Sequence, residues 1–300
     1  MKKFILTAAI AMLSVVFGFA QNAELNKIDY KKSAIDNAVQ IKALDSRLKL
    51  IQSGKFITTE KTYSASNYYI DIQETTNSFY NAFLNDLKKN KLTEIYEKCK
   101  IDNSTWIKLS EAFETASKYY HTDSKYNEYP VVNITKESAE LFCQWLTNVY
   151  AASTATKYKN AIFALPTEEE WLVAAAGGIE NTIYPWEGKF LHNKKGELMA
   201  NFRVAGEENI RINPNTGNIE VLDNNVLYQS SPVPVKSFTP NNYGIYQMSG
   251  NVAELTSDGK VKGGSWHSYG YYMQLAAEDI PGENTQPNPF TGFRVIMHVK

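Results

Sequence analysis

The sequence predicts an α+β chain with long irregular connections, preceded by a short N-terminal helix. Two observations carry this. In the first half, apolar residues recur at three- and four-residue steps in several separate stretches, each opened by a Thr or Asn. After Gly178 that periodicity stops, and residues 179–300 are rich in Gly, Asn, Pro and aromatics with only brief apolar runs. The 300 residues are 43% hydrophobic and 21% charged, which suits a folded chain with a sizeable core and excludes a disordered one. Lys and Arg total 31 against 32 Asp and Glu, so no basic excess points to a nucleic-acid backbone.

The chain opens with Met1-Lys2-Lys3, an apolar run from Phe4 to Phe19, and Gly18-Phe19-Ala20 before Gln21. Small residues at the −3 and −1 positions make residues 1–20 a secretory signal peptide rather than a membrane anchor. No Cys stands near the cut to carry a lipid, and no second long apolar run follows. The expected product is secreted or periplasmic, associated with the cell envelope and without a transmembrane segment. Two cysteines remain, Cys99 and Cys143. An oxidising compartment permits a disulfide, but Cys143 lies inside an amphipathic helical pattern, which favours a buried thiol.

Residues 21–63 read as a helical arm and linker. Ala34, Ala38, Ile41, Leu44, Leu48 and Ile51 repeat at helical spacing, so a helix is expected over 27–52, ended by Gly54. The last four follow the spacing of a coiled-coil seam, which either docks on its own domain or supports self-association. Residues 68–72 alternate and predict a strand. Phe79, Tyr80, Phe83, Leu84 and Leu87 predict a helix capped by a preceding Thr or Asn. Residues 130–134 predict a short strand, and Thr135 the cap of a helix carrying Ala139, Phe142, Cys143, Leu146 and Val149. Thr167 and Glu170 stand at the two positions of a capping box, with Trp171, Ala174 and Ala175 on the buried face and Gly177-Gly178 as the stop. No repeat or low-complexity tract is present.

The order of short motifs is more specific than any one of them. Ile70-Asp71-x-x-Glu74-x-Thr76-Asn77 is followed by Tyr129-Pro130-Val131-Val132, Phe142-Cys143-x-Trp145-Leu146 and Leu165-Pro166-Thr167-Glu168-x-Glu170-Trp171. Then come Tyr184-Pro185-Trp186, Ala200-Asn201, Pro234-Val235, and Asn241-Asn242-Tyr243-Gly244-Ile245-Tyr246-Gln247-Met248. Gly250-Asn251-Val252, Gly263-Gly264-Ser265-Trp266 and Gly292-Phe293-Arg294 close the series. This set resembles the formylglycine-generating enzyme, or sulfatase-modifying factor, family over residues 64–300. The resemblance implies a C-type-lectin-like fold with little regular secondary structure.

It also implies an enzyme test, and the sequence departs from the family there. Oxidase members hold copper(I) between two thiolates just after the Gly-Gly-Ser-aromatic motif, because a soft ion prefers sulfur. The matching positions are Ser268 and Met273, so copper and formylglycine generation are not expected. The sulfoxide synthases that share the domain use an iron-binding histidine domain, whereas His121, His192, His267 and His298 are scattered and none precedes residue 64. No nucleophile elbow, phosphate loop or HExxH motif is present.

The family's calcium loop, Gly-Asn-Val-x-Glu, matches at Gly250, Val252 and Glu254, with Gln247 in the place of an Asp or Asn. A second site would use Asn201, the Phe202 carbonyl and an acid such as Asp223. Calcium is thus a candidate cofactor, set against a loop held by hydrogen bonds alone. Arg294 reads as a buried guanidinium stapling the terminal strand to a carboxylate or carbonyls. Trp266, His267, Ser268, Tyr269, Tyr271 and Tyr272 lie where the catalytic groove would be. As rigid amphipathic contact area they suit a protein, peptide or glycan, unless the rings pack inward. The expected function is a non-catalytic binding or scaffold module of the envelope, resembling gliding-motility or secretion-associated members. The alternatives are an enzyme with unidentified chemistry and a retroelement-diversified ligand-binding protein, whose Gly-Gly-Ser-Trp start and Gly-Phe-Arg end are similar.

Overall fold

A computed structural model describes residues 22–204, 210–213, 216–217, 219–221, 231–277 and 286–299. Residues 1–20 and Asp223 lie outside these residues. The helices are α1 (Tyr30–Asp36), α2 (Ala38–Arg47), α3 (Asn77–Lys89), α4 (Thr93–Cys99), α5 (Ser104–Leu109), α6 (Glu114–Tyr119), α7 (Lys136–Ala152) and α8 (Glu168–Ala176). The strands are β1 (Leu48–Ile51), β2 (Gly54–Ile57), β3 (Thr62–Ala65), β4 (Tyr68–Asp71), β5 (Ala161–Ala164), β6 (Ile210–Ile212), β7 (Ile219–Val221), β8 (Ala253–Leu255), β9 (Val261–Lys262), β10 (Thr291–Gly292) and β11 (Ile296–Val299).

A four-stranded antiparallel sheet in the order β1-β4-β11-β5 forms the centre. Ile296 faces Ile70 on one side and Ala164 on the other, which fixes the register of the terminal strand. Side chains alternate between the two faces, as a strand's period of two requires. Tyr69, Phe163 and Met297 join the core beneath α3 and α7, with Phe83, Phe142 and Trp145. Tyr68, Ile70, Ala164 and Ile296 join a second core against α8, with Trp171 and Leu172. A smaller sheet, β10-β8-β9, carries the loop segments that follow residue 250.

Local chemistry explains the helix starts. Thr76 Oγ1 accepts from Phe79 N at 3.3 Å, and Thr135 Oγ1 from Ser138 N at 3.0 Å. Thr167 and Glu170 satisfy each other's backbone amides at 3.2 and 2.9 Å, and Gly177 closes α8 at φ +61°.

The arm departs from its expected form. It is not one helix over 27–52 but two, broken at Asn37, and Leu48–Ile51 is the edge strand of the central sheet. Asn37 Nδ2 donates to Ser33 O at 2.8 Å and to Asp86 Oδ2 at 3.3 Å, which draws the side chain inward and interrupts the helix. Gly54 opens β2 instead of ending a helix. Ile41, Leu44 and Leu48, three seam positions, are buried in this chain's own core, so the seam is not presented to a second copy. Arg47 grips Asp71 through Nε at 3.0 Å and Nη2 at 2.8 Å, tying α2 to β4.

Residues 130–134 are also not a strand. Val131 N donates to Thr75 O at 2.8 Å and Asn133 N to Asn288 O at 2.9 Å, but Asn133 at φ +62° breaks the extended run. Cys99 and Cys143 are both buried free thiols, and burial pushes the Cys99 thiol up to about 12. Among the described residues no helix is long and apolar enough to cross a membrane.

Candidate functional site

Strand β8 and the segment between β10 and β11 meet at a buried polar centre. Arg294 is fully buried and donates to Glu254 Oε2 from Nε at 2.6 Å and to Oε1 from Nη2 at 2.5 Å. Its remaining donors reach Tyr246 O at 2.9 Å and Asp71 O at 3.3 Å. Trp171 Nε1 donates to Glu254 Oε2 at 2.8 Å, so α8, β8 and the segment before β11 meet at one carboxylate. Burial disfavours the charged guanidinium most, but Glu254, Glu74 and Asp71 together hold the Arg294 pKa above its ordinary value. Glu170, besides capping α8, lies with Oε1 3.1 Å from His298 Nε2.

A second buried carboxylate stands beside this pair. Glu74 accepts from Asn251 Nδ2 at 2.8 Å and from Val252 N at 3.3 Å. Burial, and then the charge of Glu254, push its carboxyl well above the usual range. Sequence reasoning placed Glu74 only within a motif. Its signal was the run Asp71, Glu74, Thr76 and Asn77, of which each member holds a different partner: Arg47, Asn251, the α3 amides and His121.

The proposed calcium ligands divide here. Gln247 sits at φ +56°, its Nε2 donates to Pro234 O at 3.1 Å, and its buried Oε1 has no hydrogen-bond partner. Gly250 is packed so closely that a Cβ would lie 2.4 Å from Asn201 O, and Val252 is buried with its amide on Glu74. Asn201 Nδ2 donates to Ser231 O at 2.8 Å, Asn201 O accepts from Asn251 N at 2.8 Å, and the Phe202 side chain packs in a small core with Tyr184 and Met273. A hard dication needs several oxygens and negative charge. Among the described residues the set has one carboxylate, Glu254, and Arg294 already neutralises it, so these residues as folded do not fit calcium.

The positions of the family's thiolates are filled and closed. Ser268 Oγ lies 2.9 Å from Ser265 Oγ and accepts from Ser265 N at 3.0 Å. Met273 is fully buried, and its methyl occupies the space left by Gly264, whose Cβ would lie 2.4 Å from Met273 Cε. Gly264 holds φ +65°, a conformation that a side chain disfavours. A hydroxyl and a thioether supply no thiolate pair, so copper(I) does not fit this donor set. Cys99 and Cys143 belong to the core around α3 and α7, which contains neither Ser268 nor Met273.

The aromatic run is not one surface. Trp266 is buried and stacks on Trp106 at 6.2 Å, with Nε1 donating to Pro289 O at 3.0 Å. Trp266 and Ser268 therefore leave the expected binding face, because the short helices α5 and α6 supply a core for the indole. His267 is half-buried and stacks on Phe290 at 5.3 Å, and burial, then the Arg203 charge, lower its pKa. Tyr269 lies half-buried under the Arg203 guanidinium at 5.0 Å. Tyr271 is 58% exposed, edge-on to the half-buried Tyr272 at 5.3 Å.

Comparisons with known proteins agree with this architecture. A sequence model of the sulfatase-modifying factor enzyme 1-like domain matches residues 34–299, reaching back through the arm. The chain is 31% identical over 131 residues to the Bos taurus inactive C-alpha-formylglycine-generating enzyme 2, covering 43% of this chain and 33% of that protein. It is 30% identical over 130 residues to the Thermomonospora curvata formylglycine-generating enzyme, covering 43% of this chain and 33% of that protein. The matched region thus spans about a third of these relatives. The crystal structure of CarF superposes with a TM-score of 0.55 at 18% identity, covering 84% of this chain and 98% of that one. Treponema denticola variable protein 1 gives 0.52 at 18% identity, covering 83% and 94%. PvdO from Pseudomonas aeruginosa gives 0.52 at 15% identity, covering 84% and 94%. At that identity the structures speak for the fold, and the family match, over most of the chain, places this protein in the sulfatase-modifying factor enzyme 1-like domain family.

Proposed function

We propose that this protein is a non-catalytic member of the family, a binding or scaffold module for a protein, peptide or glycan of the cell envelope. One observation carries the reading: Ser268 and Met273 stand where the oxidases need two thiolates, and both are buried in closed packing. The similarity to an inactive formylglycine-generating enzyme shows that the family contains members named as inactive. Tyr271 and Tyr272, with the half-buried Tyr269, supply the contact face in this reading. The same reading has the loop around Gln247 and Glu254 held by hydrogen bonds and the Arg294 pair, without calcium.

The test is a pair of crosslinking baits in native envelope. One is the chain lacking residues 1–20, and the other also carries Tyr271→Ala and Tyr272→Ala, checked for folding by its melting curve. The reading expects a saturable partner on the first bait that is lost on the second. Recovery of no saturable partner by the first bait would count against it, and equal recovery by both would move the contact face elsewhere.

A further inference from the structure

Beside the tyrosine face, residues 191–199 turn back on themselves as a hairpin. Met199 N donates to Leu191 O and Asn193 N to Glu197 O, each at 2.9 Å, with Gly196 at φ +82° in the turn. The hairpin is anchored where Leu191 packs on Gly270, whose Cβ would lie 2.4 Å from Leu191 Cδ1. Beside it opens a bay of about 1020 Å³, lined by Trp186, Phe190, His192, Lys189, Lys194 and Lys195 among others.

Two features of the bay point to a ligand. The first is its rings: Phe190 and His192 are exposed and Trp186 is half-buried. Trp186 lies parallel to Tyr184 at 5.1 Å, and its Nε1 donates to Phe190 O at 3.0 Å. Phe190 is 68% exposed, with His192 stacked on it at 5.6 Å. An exposed Phe held by stacking keeps apolar area in water that a ligand would cover. The second is charge. Lys189, Lys194 and Lys195 are all exposed, and none has an ion-pair partner among the described residues. Glu187 is the one acid in the lining, and nearby Glu197 is held by Asn193 Nδ2 at 2.7 Å. The lining therefore carries a cationic excess around aromatic platforms.

We propose that this bay binds a short segment of an anionic polysaccharide, its carboxylates or sulfates on the three lysines and its ring faces on Trp186 and Phe190. The stacked platforms favour a sugar over an acidic peptide, because a peptide carries the charge without rigid rings to lie on them. The hairpin's backbone groups also pair with one another, which withholds them from an extended chain. The inference names a ligand class for the binding module proposed above and rests on that reading, but the bay's lining includes neither Tyr271 nor Tyr272.

Calorimetric titration of the chain lacking residues 1–20, in about 150 mM salt to screen loose charge attraction, tests it. The probes are polygalacturonate oligosaccharides, dextran sulfate oligosaccharides, neutral dextran and poly-glutamate. The expected result is saturable binding of an anionic sugar, with dextran and poly-glutamate about tenfold weaker or worse. Which anionic sugar binds identifies carboxylate or sulfate as the recognised group. The triple variant Lys189→Ala/Lys194→Ala/Lys195→Ala and the single variant Phe190→Ala, both on exposed positions, each weaken it by about tenfold or more. Failure of both anionic sugars, poly-glutamate binding as well as the sugar, or an unchanged Phe190→Ala variant would each overturn the proposal. If the sugars fail while the Tyr271/Tyr272 baits still differ, the polysaccharide site falls and the binding module stands.

Discussion

Arg294 and Glu254 meet through two hydrogen bonds, at 2.6 and 2.5 Å, with both side chains sealed from solvent. This pair ties the terminal strand to the loop that the family's metal motif occupies. Removing one partner leaves the other charge buried and uncompensated, which costs about 3–5 kcal/mol. Arg294→Met is the severer test, since it strips the cation from both Glu254 and Glu74. Urea unfolding should show that loss for either single variant, and a markedly smaller one for Arg294→Met/Glu254→Met than the two singles summed. Singles that cost under about 1 kcal/mol would show that the pair does not brace the loop.

Calcium follows from the same pair. With Glu254 committed to Arg294, chelation or added calcium should leave the melting temperature unchanged. A saturable upward shift on adding calcium would return the ion to the unpartnered Gln247 Oε1.

Gly264→Ala tests how tightly the former thiolate position is closed. The new methyl meets Met273 Cε at 2.4 Å and Tyr272 O at 2.8 Å, on a backbone at φ +65°. A loss of about 1–3 kcal/mol is expected from overpacking and backbone strain. On a Met273→Ala background the same substitution should cost less, because the contact with Met273 Cε is gone while that with Tyr272 O remains. An equal cost on both backgrounds would mean that backbone strain and Tyr272 O set it.

His121 makes stability depend on pH. Its Nδ1 lies 2.8 Å from Asn77 Oδ1, its buried Nε2 has no partner, and burial pushes its pKa from 6.5 down to about 3. Between those values the unfolded chain binds a proton that the folded chain refuses. This group's contribution to stability is therefore full above pH 6.5 and falls by up to about 1.4 kcal/mol per pH unit below it. His121→Gln removes that slope, and other titrating groups cancel in the difference between the two profiles. Superimposable slopes for the two proteins would contradict the assignment.

What could be read in the sequence was local. Thr76, Thr135 and the Thr167–Glu170 box announce their helices because each cap bonds within three residues of itself. The family and fold were legible from the order of motifs. The break at Asn37 was not, because one of the two bonds that draw its side chain inward goes to Asp86, 49 residues further on. Nor was the fate of Trp266 legible, since its neighbour Trp106 sits on a helix only six residues long, too short to show a period. The strand at residues 48–51 was hidden because Leu48 and Ile51 fit a helical step as well as they fit the two faces of a sheet edge.

The central claim is that this family scaffold serves binding rather than oxidation. The most direct measurement incubates the purified chain with copper(I), oxygen and a sulfatase-type peptide bearing the target cysteine, and follows the peptide by mass spectrometry. The account predicts an unchanged cysteine at every copper level, because Ser268 and Met273 provide no thiolate pair. Copper-dependent conversion of that cysteine to formylglycine would contradict it.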